Sequence, residues 1–251
     1  MRKRLKILFV LFAVILFSSV GFGVYVADCY PAAPVAIEAA GQAEPGEGIL
    51  VFHADEPVAG LIFYPGGKVA YESYAPLMSA LSQRGILCVL IHMPCNLAVL
   101  DVDAAKDIPE QFPEIRHWYI GGHSLGGAMA ASYAAKHPDD FDGIVLLAAY
   151  STADLTQSGL QIVQIYGTED GVMNRASYEK YASNLPEGSM EIILEGGNHA
   201  GFGAYGPQKK GWRSGYFTGI PMGSDCRCHF CNVFSELRGI KGHSVRKLNS
   251  T

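Results

Sequence analysis

Gly122-His123-Ser124-Leu125-Gly126 is the segment of this sequence best suited to covalent chemistry. It fits G-x-S-x-G, in which a serine stands on a strained strand-to-helix turn that only small residues can flank two positions away. Gly122 and Gly126 give that clearance. A helix starting after Ser124 would aim its amides and partial positive charge at the anion formed when the hydroxyl attacks a carbonyl. The pentapeptide alone is weak evidence, so its context decides. A serine hydroxyl needs a base, and the base needs a carboxylate to orient it. His199, in Gly196-Gly197-Asn198-His199-Ala200-Gly201, is the candidate base. Asp170, in Tyr166-Gly167-Thr168-Glu169-Asp170-Gly171, is the candidate carboxylate, with Glu169 and Asp154 as rivals. A lone loop histidine is ordinarily solvated or structurally bonded. The joint placement of Ser124, Asp170 and His199 just past apolar runs reverses that reading.

The elements that must hold these residues follow from hydrophobic periodicity. Short apolar runs bounded by turn signals predict strands over 49–52, 59–64, 86–91, 118–121, 143–148, 161–166 and 190–194. Helical spacing predicts helices over 74–84, 97–108, 126–137 and 174–184, with Gly85 as a C-cap. Strands alternating with helices imply an α/β fold with a doubly wound, mostly parallel sheet and chemistry at the carboxyl ends of its strands. Ser124, Asp170 and His199 all fall at that edge.

Phe63-Tyr64-Pro65-Gly66-Gly67-Lys68-Val69, Gly122-His123-Ser124-Leu125-Gly126-Gly127, Tyr166-Gly167-Thr168-Glu169-Asp170 and Gly197-Asn198-His199 together resemble the α/β-hydrolase superfamily, in particular a lidless bacterial subgroup. The resemblance covers about 49–208, and its chain order of Ser, Asp, His is that of the superfamily. It implies hydrolysis of an ester or related acyl bond of a small molecule by a Ser124-Asp170-His199 triad, with no metal or organic cofactor. It also implies an oxyanion hole from the backbone amides of Leu125 and of Gly67 or Lys68. The dozen or so residues between the strands at 143–148 and 161–166 leave no room for a cap, so a shallow, open site is expected. Transfer of the acyl group to a second alcohol is the rival outcome. A non-catalytic, membrane-tethered binding protein is the rival from another class.

At 251 residues the chain suits one domain plus an appendage. A hydrophobic share of 49% with 29 glycines fits a buried sheet with tight turns and excludes a disordered chain. The net charge of -5 provides no basic field, which excludes nucleic acid as a partner. Arg2, Lys3, Arg4 and Lys6 precede the uncharged apolar run 7–26. That length matches a hydrocarbon core of about 30 Å better than a cleaved signal. We therefore expect a membrane anchor at 1–27 with cytoplasmic basic residues and the domain on the outer face. Secretion after cleavage is the alternative. Asp28 before Cys29 argues against a lipoprotein signal. Residues 28–48, rich in Ala, Pro, Gly and Glu, read as a linker, and 49–208 as the catalytic domain.

The tail, 209–251, departs from the family pattern. A covering helix is needed after His199, yet Gly211, Gly215, Gly219 and Gly223 interrupt any helical period. Cys226, Cys228, His229, Cys231 and His243 match no usual zinc spacing. Read one base onward from Lys209-Lys210, with permissible codons, 212–231 becomes an alanine-rich amphipathic stretch of the missing kind. A frameshifted tail is therefore expected, and resequencing the gene tests it.

Overall fold

The computed structural model describes residues 2–206, 208 and 246–247. The expected helix and the zinc candidates of the tail lie outside them. Helix α1 (Arg2–Ala27) contains one stretch, Phe9–Ala27, long and apolar enough to cross a membrane, and none of that stretch is buried against the domain. Helix α2 (Pro34–Ala40) and strand β1 (Glu44–Gly46) follow. Then come β2 (Ile49–Phe52), β3 (Ala59–Tyr64), α3 (Ala75–Ser82), β4 (Ile86–Ile91), β5 (Trp118–His123) and α4 (Leu125–Ala134). The remaining elements are β6 (Gly143–Leu147), β7 (Gln161–Gly167), α5 (Arg175–Tyr181), β8 (Met190–Leu194) and the two-residue β9 (Arg246–Lys247).

The strands form one sheet in the order β1-β2-β4-β3-β5-β6-β7-β8-β9. From β4 to β8 every pairing is parallel, and the antiparallel pairings lie at the two ends. Strand alternation sends Leu61, Phe63, Cys88 and Leu90 to one face, where α3 contributes Leu77, Met78 and Leu81. Ile62, Tyr64, Val89 and Ile120 point the other way, where α4 contributes Ala130, Ala131 and Ala134. The small alanines let α4 approach the sheet closely. Burial of each large apolar side chain contributes about 1.5–3 kcal/mol. The parallel doubly wound sheet is therefore held from both sides, as the sequence pattern requires.

Two expectations are corrected. No helix forms over 97–108. Short 3₁₀ turns at Pro94–Asn96 and Ala98–Leu100 stand there instead. The buried Tyr64 hydroxyl donates to Val102 O at 2.9 Å and accepts from Ala105 N at 2.8 Å, so a side chain takes backbone groups that a helix would pair internally. The apolar spacing marks which turn residues are buried, Ala98, Ala105 and Ile108 among them. The second correction concerns 28–48, which is no loose tether. Ala36 of α2 is fully buried, β1 pairs with β2, and Tyr30 forms an isolated parallel bridge with Val69.

Candidate active site

β5 lies between β3 and β6, with Tyr64 opposite Gly122 and Leu147 opposite His123. The central strands therefore end level, and Ser124 follows at once. Ser124 takes φ 53° and ψ -120°, a conformation that L-residues adopt at a cost of about 1–3 kcal/mol. Its N–H donates to Leu147 O at 2.9 Å and its carbonyl accepts from Ala128 N at 3.1 Å, which locks the elbow between strand and helix. A Cβ on Gly126 would overlap the backbone of Tyr64 and Pro65, and one on Gly122 would meet Tyr64 O and the backbone of Gly126. The two motif glycines are thus needed for close approach of β3 and α4 to the turn. Ser124 itself remains partly exposed.

The Asp170 and His199 loops leave the neighbouring strands β7 and β8 and are stitched together. Thr168 N donates to Leu194 O at 3.0 Å, Glu169 N donates to Gly197 O at 2.8 Å, and Gly196 N donates to Thr168 Oγ1 at 2.8 Å. This stitching brings His199 Nδ1 within 2.7 Å of Asp170 Oδ2, with both side chains buried. The other carboxylate oxygen, Oδ1, accepts from Val172 N and Met173 N, each at 2.9 Å. Burial alone would raise the Asp170 carboxyl. The bond from His199, its charge and the two backbone amides outweigh that and hold the carboxyl below its ordinary range. An ionised Asp170 fixes Nδ1 as the protonated nitrogen and leaves Nε2 to handle a proton. The rivals stand apart: Glu169 is exposed, and the exposed Asp154 accepts from the amide and hydroxyl of Thr156.

Of the three candidate amides for an oxyanion, Lys68 is committed elsewhere, because its N–H donates to Asn96 O at 2.8 Å. The expectation for Lys68 is corrected accordingly. Leu125 opens α4, where an N–H has no intrahelical partner. Gly67 faces it closely: a Cβ on Gly67 would stand 3.0 Å from Leu125 Cδ2.

Two residues escaped the sequence reading. Tyr74, fully buried, accepts from Gly66 N at 3.0 Å and so has its own hydrogen left for His123 Nδ1 at 2.8 Å. His123 therefore carries its hydrogen on Nε2. Burial, and then the charge of His199, push the His123 ring well below its ordinary value, so it stays neutral. Its ring centroid lies 4.5 Å from that of His199. One buried pair thereby joins the glycine loop, the Ser124 turn and the His199 loop. His123 occupies a variable position of the motif, and nothing in the spacing of Tyr74 marks it.

Several solved structures share this fold. The chain is similar to Est1E from Butyrivibrio proteoclasticus, with TM-score 0.55 and 11% identity over 76% of this chain and 94% of that one. It is similar to a bacterial membrane phospholipase A described as a virulence factor, with TM-score 0.56 and 12% identity over 92% and 99%. A third likeness is to Thermogutta terrifontis esterase 2 phosphoramylated by tabun, with TM-score 0.51 and 12% identity over 76% and 89%. At these identities the likeness is one of fold. A search of curated proteins returned no match. The model of the alpha/beta hydrolase family matches residues 60–217, which takes in the elbow, the Asp170 loop and the His199 loop together. The chain belongs to the alpha/beta hydrolase family.

Proposed function

We propose that this protein is a membrane-anchored serine hydrolase that cleaves an ester or related acyl bond, with the domain on the outer face of the membrane. The buried 2.7 Å bond between His199 and Asp170, at the same sheet edge as the strained and accessible Ser124, carries the reading. His199 Nε2 takes the Ser124 proton as Oγ attacks the carbonyl carbon, and the amides of Leu125 and Gly67 receive the oxyanion. His199 then returns the proton to the leaving alcohol. Water, deprotonated by the same nitrogen, releases the acid and restores Ser124. Asp170 holds the imidazolium throughout. The connection from β6 to β7 contains no helix, which favours an open, uncapped mouth.

A fluorophosphonate probe is expected to label the protein and to leave folded Ser124→Ala unlabelled, with loss of turnover on a short nitrophenyl ester. Absence of labelling on folded wild-type protein returns the chain to the class of tethered binding proteins.

A further inference from the structure

The end of the apolar helix and the rim of the site are fastened together. Lys68 Nζ lies 3.0 Å from Asp28 Oδ2 and 4.4 Å from the centre of the Tyr25 ring. Tyr30 N donates to Lys68 O at 2.7 Å, and Ala70 N donates to Tyr30 O at 3.0 Å. Only Asp28 and Cys29 lie between α1 and this pairing. The glycine loop that faces Leu125 therefore begins one residue from Lys68. The Lys68–Asn96 bond continues the attachment into the turn at Ala98–Leu100. A bond from Ala33 N to Ala204 O at 2.8 Å reaches the loop after His199.

Apart from α1, the exposed large apolar side chains among the described residues are Val35, Ile37, Val58, Val99, Leu100 and Val172. Of these, Val35 and Ile37 stand on α2 just beyond Ala33, and Val99 and Leu100 on the turn beyond Asn96, both segments attached to this edge. A 19-residue span at 1.5 Å per residue is about 28 Å long, the thickness of a hydrocarbon core. If α1 crosses the bilayer, Tyr25 falls at the aromatic belt and Lys68 at headgroup level. The apolar rim then meets lipid.

Resting on the hydrolase reading above, we propose that the mouth of the site is held against the bilayer and that its substrate is an acyl ester of a membrane-resident glycerophospholipid. Ser124 Oγ forms a bond to the lipid acyl carbon, the glyceryl C–O bond breaks, and the glyceryl oxygen takes the proton held by His199. Water then cleaves the acyl-enzyme, so one ester and one water become a fatty acid and a lysolipid.

The test uses the full chain reconstituted in vesicles of dioleoyl phosphatidylglycerol and phosphatidylethanolamine. Fatty acid and lysolipid are read by mass spectrometry beside turnover of water-soluble nitrophenyl acetate. A flexible Gly-Ser insertion of about twenty residues between Ala27 and Asp28 keeps the tether but frees the mouth from the surface. It is expected to lower lipid cleavage about tenfold or more while nitrophenyl acetate turnover stays within about twofold. Val99→Asp with Leu100→Asp is expected to act in the same direction. Nitrophenyl acetate turnover without fatty acid release overturns the lipid proposal and spares the hydrolase. Equal lipid cleavage by the insertion variant also overturns it. Loss of both activities in folded wild type, with no probe labelling, removes the hydrolase reading and the proposal together.

Discussion

β5 is buried at every residue, whereas β8 is half-buried at every residue. The first leads directly into Ser124 and the second leads to His199. Ser124 owes its position to the sheet backbone, pinned by the hydrogen bond from its N–H to Leu147 O and set between Gly122 and Gly126, which the backbone of Tyr64 approaches closely. His199 owes its position to a few hydrogen bonds between two loops and to one carboxylate. The proposed nucleophile is thus set by backbone packing and the proposed base by polar contacts, so damage to the two regions should take different forms.

The sharpest break falls on the polar side. Asp170→Asn should reduce kcat about 10⁴-fold, because an amide favours the wrong histidine tautomer, while thermal stability falls far less steeply. Steady-state kinetics beside a melting curve separates the two. Next in size, Ile120→Ala in the fully buried centre of β5 should cost about 2–5 kcal/mol, and Ile192→Ala in β8 about 1 kcal/mol, read from denaturant midpoints. Equal losses would erase the distinction between the regions. Tyr74→Phe strips the Gly66 amide and His123 of a buried partner and should cost about 1–3 kcal/mol with intact labelling of Ser124.

The smallest effect is on pH. The folded protein keeps His123 neutral below the ordinary histidine value of 6.5, where the unfolded ring takes up a proton. The unfolded state then binds more protons, so this contribution is whole above 6.5 and shrinks as pH falls below it. Asp170, depressed in the fold, adds a second loss in the same direction as pH falls below the ordinary carboxylate value of 3.8. His123→Asn should flatten the first slope, by up to about 1.4 kcal/mol per pH unit.

Much of this was legible because strands buried on both faces write themselves as unbroken apolar runs. Ile86–Ile91 falls where the sequence puts it, and so does Met190–Leu194, although that strand is half-buried and interrupted by Glu191. The candidates Ser124, Asp170 and His199 came from the chain order of loops past those runs, and the structure pairs Asp170 with His199 and puts Ser124 on a strained turn. Residues 97–108 misled because burial against a tyrosine hydroxyl imitates helical spacing. Residues 28–48 misled because alanine and proline serve a tether and a short packed helix alike. The Tyr74–His123 pair was invisible, since it depends on side chains 49 residues apart meeting inside the fold.

The bridge between Tyr30 and Val69 also decides where this protein can be trimmed. A soluble version beginning at residue 49 would lose Ala36 from beneath the domain, strip β2 of its outer neighbour and unhook the glycine loop from its brace. Beginning at Asp28 instead removes the greasy helix and keeps the collar that shapes the mouth. The shorter version should clump and turn over ester poorly for reasons unrelated to Ser124.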